Sequence, residues 1–234
     1  MAEQIDTIRD EGVGYPGANG FEGSFLGSLP PDVRDALARD ARLVTYSSGA
    51  KIREPGSAGR PGVVVSGVVR AYIAVEDGRQ ASVKYARPGD EIGLGGPFMQ
   101  DSPLGLQAFG ETTILYFDAR AFERQLATDI TLARLVAERL GRALTRASTA
   151  ARGFAFGRVR QRVAAELIAL ASLDAHGRLV AGVTQQGLAE AVGSVRDVVA
   201  RSLAELSAAG LVLTSRSKVV IMDEDALRQE ADIA

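Results

Sequence analysis

Arg196 and Arg201, with Asp197 between them, lie in a stretch, 184–210, whose apolar residues recur at helical spacing. Two guanidiniums and a carboxylate so spaced fall on or near the first turn and a half of one helix. A guanidinium offers paired donors that fit a guanine edge or a phosphate, and a carboxylate accepts from a cytosine amino group. Arg216 and Lys218 add two cations in a polar turn, 214–218, between two β-rich runs. This is the chemistry of recognition. Bond-breaking chemistry has little to rest on: there are no cysteines, and the single histidine, His176, stands in the polar stretch 174–178. Thiol nucleophiles, disulfides and iron–sulfur clusters are excluded, and no Ser-His-Asp set can be assembled. His176 reads as a solvated loop residue, so no catalytic residue, metal site or cofactor is expected.

The elements that must hold these side chains can be read from periodicity. Leu188 and Val192, then Val195, Val198, Val199, Leu203 and Leu206, mark two short amphipathic helices broken at Gly193-Ser194. Gly193 permits a tight turn, Ser194 is the expected cap of the second helix, and Asp197 three residues on gives capping-box spacing with an acid shorter than usual. Gly210 ends that helix. Thr184 caps the first helix, and Gln185 and Gln186 behind it suit phosphate contacts. Residues 211–213 and 219–222 are β-rich and form a hairpin beside the second helix. Helix, turn, helix and a cationic wing are the parts of a nucleic-acid reader, the alternative on these residues alone being a packed helical hairpin. Over 153–222, eight Arg and Lys stand against five Asp and Glu, a net of +3 within a chain of net charge −2.

The pattern Arg196, Asp197, Val198-Val199-Ala200, Arg201 resembles the recognition helix of the CRP/FNR family of bacterial transcription regulators, which carries Arg, Glu, three variable residues and Arg. The resemblance implies that Arg196 and Arg201 contact guanines or phosphates and that Asp197 contacts a cytosine. Its shorter side chain implies an altered half-site. It also implies a homodimer on a palindromic operator in double-stranded DNA, with RNA polymerase as a further partner. The rival reading is a ligand-binding dimer whose winged domain contacts another protein.

Upstream, short strand-like runs over 43–46, 62–65, 68–75, 81–85, 107–108 and 113–117 alternate with glycine-bearing turns, which suggests an antiparallel sandwich or roll. Ser48-Gly49-Ala50, Glu54-Pro55-Gly56, Ser66-Gly67-Val68-Val69-Arg70 and Pro88-Gly89-Asp90 stand in the order of the family's sensor domain, a cyclic-nucleotide-binding-like jelly roll. By ungapped alignment with the family, its ribose-binding glutamate falls at Leu94, and its phosphate-binding arginine and serine fall at Leu104 and Gly105. No arginine lies between Arg87 and Arg120. Without that cation the cyclic phosphate has no charge-assisted partner, so cyclic AMP is not expected as the effector. Leu94, Phe98, Leu104, Gly105 and Leu106 outline an apolar pocket, either for an apolar small-molecule effector or filled by its own side chains.

Residues 129–152 read as one long helix. Ala133, Val136, Leu140, Ala143, Ala147 and Ala150 form a heptad seam for a second copy, and Leu132, Leu135 and Leu144 an adjoining stripe toward the roll. Gly153-Phe154-Ala155-Phe156-Gly157 is the expected hinge, followed by an amphipathic helix in which Arg158, Arg160 and Arg162 face solvent. The expected class is α+β. Residues 1–23 form a flexible tail, 24–128 an antiparallel β-roll sensor, 129–152 a dimerisation helix and 153–234 a winged helix-turn-helix. Neither a signal peptide nor an apolar run long enough to cross a bilayer is present, so a cytoplasmic protein without membrane contact is expected.

Overall fold

The computed structural model describes residues 24–74 and 80–232, and the tail expected over 1–23 lies outside them. The chain divides into two compact units, with one boundary inside its longest helix.

The first unit starts with α1 (Pro31–Ala38), entered through Pro30, which buries Val33 and Leu37. The six-stranded sheet takes in β1 (Arg42–Tyr46), β2 (Lys51–Arg53), β3 (Gly62–Ala74), β4 (Gln80–Ala86), β5 (Glu91–Ile92) and β6 (Gly105–Tyr116). The order is β1-β6-β3-β4, with β2 on β6 and β5 on β3. The pairs β1–β6, β2–β6, β3–β5 and β3–β6 are antiparallel. Two pairs of expected runs turn out to be single strands. What reads as a turn at Ser66-Gly67 is an irregularity inside β3, where the register with β6 shifts between Val64 and Val68. Gly67 has φ +76°, and a Cβ there would lie 2.2 Å from the Glu111 carbonyl oxygen, so the shift requires glycine. Gly110 within β6 shares only the left-handed backbone, at φ +85°, with open space where a Cβ would stand. The two- and three-residue strands β5 and β2 are too short to show a period.

Side-chain alternation along β3 and β6 separates two cores. Val63 and Leu115 point to one side, where they pack with Phe25, Leu37, Phe117 and Phe122 under the helices. Val64, Ile114 and Tyr116 point to the other, with Val69, Ala71, Ile92 and Leu106. Asp118 caps α2 (Ala119–Thr128), accepting from the Ala121 amide at 2.8 Å. The next helix, α3 (Ile130–Phe156), runs past its expected end at 152 and gives way at Gly157-Arg158, so the break falls at the last residue of the expected 153–157 hinge. Glu91, 8% exposed on β5, holds Lys84 at 3.8 Å and Arg139 of α3 at 3.5 Å.

In the second unit α4 (Val159–Leu170) is followed by β7 (Ser172–Leu173), β8 (Leu179–Ala181), α5 (Gln185–Ala191), α6 (Arg196–Ala208), β9 (Val212–Thr214), β10 (Val219–Ile221) and α7 (Glu224–Ala231). Its sheet has the order β7-β8-β10-β9. Val163, Leu167, Leu188, Leu203, Leu206 and Leu227 are buried and close the core. The β7–β8 hairpin leaves no mark in the sequence because its strands are too short to alternate. His176 is exposed in its turn, as expected. Asp174 organises that turn by accepting from the His176 and Arg178 amides and from the Arg178 guanidinium, at 2.7–3.0 Å. These bonds, chiefly those of the Arg178 side chain, lower the Asp174 carboxyl to about 2.

Candidate nucleic-acid interface

Thr184 caps α5 as the sequence predicts, its hydroxyl accepting from the Gly187 amide at 3.0 Å. Leu188, Ala189, Ala191 and Val192 are buried. The turn that follows needs glycine: Gly193 sits at φ +62°, and the Ser194 amide donates to the Ala189 carbonyl at 2.9 Å.

At the start of α6 the sequence expectation fails. The N-cap is Val195, extended at φ −104° and ψ 151°, with no side-chain cap, and Ser194 lies one residue too early to reach the first-turn amides. No capping box with Asp197 forms. Val195 does not join the apolar face either, being 62% exposed, and Val198 is half-buried. Val199, Leu203 and Leu206 do anchor the helix, and Ser202 returns its hydroxyl to the Val198 carbonyl at 3.0 Å.

Arg196, Asp197 and Arg201 are all exposed. Among the described residues no ion pair engages them, although Asp197 and Arg201 stand four apart on one face of α6. Ala209 and Gly210 end the helix, and the chain returns through β9 and β10, paired Thr214 to Val219 and Val212 to Ile221. The Ser215 amide and hydroxyl both donate to the Lys218 carbonyl at 2.9 Å, which closes the wing tip and leaves Arg216 and Lys218 exposed. Gln185 is half-buried, and Gln186 donates to Glu190 at 2.9 Å.

Behind the helix lies a group that periodicity presents as solvated. Arg160 on α4 is 33% exposed and reaches Glu230 of α7 at 2.8 Å and Glu205 of α6 at 3.7 Å. It borders a cavity of about 460 Å³ that Arg158, Arg201 and Ser202 also line. Arg160 therefore ties α4 to both α6 and α7. Arg162 is also partly buried, and its burial lowers the guanidinium's pKa. Arg158 is exposed as expected, and its amide donates to Gln161 at 2.9 Å. The missed signal was pairing across elements, which a single helix's periodicity cannot reveal.

In the roll, the five residues outlined as an apolar pocket do not converge. Leu94 belongs to the core beneath the helices, and Leu106 to the core on the other side of the sheet. Phe98 is 61% exposed. Leu104 is half-buried, and its carbonyl accepts from the Arg53 guanidinium at 3.0 Å, as does the Ser102 hydroxyl. Gly105 faces the ring of Tyr72: a Cβ would lie 2.2 Å from the ring's Cζ, and Tyr72 is 2% exposed. The cations of this region thus come from upstream of the 87–120 segment. Arg53 lies on β2, with burial lowering its pKa, and Arg60 stacks 4.6 Å from the centre of the Tyr116 ring.

On α3 the expected seam needs a correction of register. Val136 is 2% exposed and packs with Leu132 in the first unit's own core, whereas Leu144, expected to face the roll, is 69% exposed. Ala143 and Ala147 are exposed, Ala133 is half-buried, and the side chain of Ala150 lies outside those described. With Val136 turned inward, the outward apolar stripe passes through Ala133, Ala137, Leu140, Leu144, Ala147 and Ala151. Its steps alternate four and three, which is again heptad spacing.

A β-roll, a long helix and a winged helix-turn-helix, in that order along one chain, define a two-domain regulator of transcription. Residues 43–129 match the cyclic nucleotide-binding domain family, and residues 161–230 match the Crp-like helix-turn-helix domain family. The transcriptional regulator LdrP of Thermus thermophilus is 30% identical over 172 residues, covering 72% of this chain and 85% of that protein. The transcriptional regulator SdrP of the same species is 27% identical over 201 residues, covering 81% of this chain and 94% of the relative. A crystal structure of a CRP/FNR family transcriptional regulator, also from Thermus thermophilus, superposes with a TM-score of 0.68 at 27% identity, over 81% of this chain and 98% of its own. The chain belongs to the CRP/FNR family of transcription regulators. Among the described residues no helix is long and apolar enough to cross a membrane.

Proposed function

We propose that the protein acts as a homodimer on a palindromic operator, each subunit placing α6 in a major groove and its wing on the flanking backbone. The observation that carries this is the set of exposed side chains Arg196, Asp197 and Arg201 on α6, with Arg216 and Lys218 at the wing tip. Arg196 and Arg201 contact bases or phosphates, Asp197 tunes base choice, and Thr184, Ser194 and Gln185 supply polar groups for backbone contacts. A palindromic operator would require the two such helices of a homodimer to stand about 34 Å apart, one turn of DNA.

The sensor is proposed to work without cyclic AMP. By the ungapped resemblance, the family's phosphate ligands fall at Leu104 and Gly105, and the ring of Tyr72 fills the space in front of Gly105. Scattered placement of the apolar candidates favours a roll filled by its own side chains over one that holds an apolar effector.

Selection of duplexes from a random pool by the purified protein, with no ligand added and at near-physiological salt, tests both parts. Enrichment of a two-half-site palindrome, unchanged by cyclic AMP, is the expected result. On that operator Arg196→Ala should cost specificity, while Lys218→Ala should weaken all sequences about equally and flatten the salt dependence. A folded protein that enriches nothing would refute the proposal in favour of a winged domain that contacts protein.

A further inference from the structure

We propose that Val195 reads a thymine 5-methyl group in each half-site, an inference that rests on α6 being the helix that enters the major groove. Val195 occupies the N-cap of α6 and makes no side-chain cap. Valine is among the poorest residues there, because it leaves the first amides without the oxygen that Ser, Thr, Asn or Asp would supply. Nothing in its own unit compensates, since the side chain is 62% exposed and lies outside the core that buries Val199 and Leu203. An apolar group has been placed where a polar one would serve the helix better.

Its surroundings indicate what it meets. The N-cap side chain projects ahead of the first turn, and Arg196 and Asp197 beside it are exposed. The leading end of such a helix is the part that reaches base edges. A phosphate contact at this position would call for a hydroxyl or a free donor, and valine has neither. Among the groups that the four base pairs present in the major groove, the thymine methyl alone is apolar. Two branched methyls flanked by polar base readers fit that methyl and nothing else on the groove floor.

The test uses the selected operator with deoxyuridine in place of each thymine of the half-site in turn, which removes the methyl and preserves the pairing. With the wild-type protein, one thymine should show a loss of roughly fourfold per half-site, or about fifteenfold when both are replaced, the value of one buried methyl. Val195→Ser removes both methyls and adds a capping oxygen, so the helix is retained while the apolar contact is lost. With this variant the uracil penalty at that position should fall below about twofold while penalties elsewhere stay unchanged. A selected half-site with no thymine, no uracil-sensitive position, or a penalty that Val195→Ser leaves intact would each overturn the proposal while leaving the DNA-binding reading in place. Loss of all sequence preference in the wild-type protein would overturn both.

Discussion

Leu144→Ala on the exposed face of α3 tests the dimer and its register together. Leu144 is 69% exposed and Leu140 is 37% exposed, so each subunit offers the equivalent of about one whole leucine to a partner. Fully burying a leucine is worth about 1.5–3 kcal/mol, and the exposed part of Leu144 accounts for roughly two-thirds of that. A twofold axis counts the loss twice, so the variant should forfeit about 2–4 kcal/mol of association, a rise in the dimer Kd of about 30- to 1,000-fold. Removing an exposed side chain leaves the monomer fold intact. Val136→Ala is the control: at 2% exposure in the first unit's core, it should cost about 2 kcal/mol of folding stability with little direct effect on the dimer contact. Sedimentation over a concentration series reads the first quantity and chemical denaturation of the monomer the second. An unchanged Kd for Leu144→Ala, with a weakened dimer and unaltered monomer stability for Val136→Ala, would restore the register that periodicity alone suggests and refute this one.

Two further outcomes follow from charge pairs in the second unit. Arg160→Ala should lower stability by about 0.5–1 kcal/mol, the range for partly exposed pairs, and thermal melting should fall by a few degrees. Glu230→Gln, at the 2.8 Å contact, should cost more than Glu205→Gln, at 3.7 Å. The Asp174 carboxyl should titrate near 2 when followed by NMR. Because the fold depresses this pKa, the stabilisation it brings is complete above the ordinary carboxylate range and disappears as the pH falls toward 2. Arg178→Ala should raise the midpoint toward the ordinary range, and an unmoved midpoint would show that the backbone amides, not the guanidinium, set it.

Where the sequence was legible, a side chain's role depended on neighbours along the chain. The cap at Thr184, the turn at Gly193, the return through Gly210 and the wing between Thr214 and Val219 all lie within reach of local rules, and all stand as expected. Misreadings arose where the deciding partner was distant in sequence. Ser66-Gly67 carries the composition of a turn, but β6 holds both sides of it in one strand. Val136 fits a seam by spacing, yet Leu132 and the roll claim it. Arg160 looks like a solvated cation until Glu230 and Glu205 come beside it. Arg53 lies upstream of the segment to which the family's pattern directs the search for a pocket cation. Val195 shows a different limit: helical periodicity assigned it to the apolar face, but that period begins only once the helix does.

The contact between Tyr72 and Gly105 also constrains how this sensor can evolve. Serine is the residue that the family's cyclic-AMP-binding pattern places at 105, and any side chain there displaces the buried ring. Arginine at 104 and serine at 105 would therefore not suffice to build a phosphate site, because position 72 has to yield first. A change at 72 that removes the ring opens a void in the meantime and costs stability before any ligand can return it. The path to cyclic-nucleotide binding is thus guarded by the order in which substitutions must occur, since its first step brings only loss.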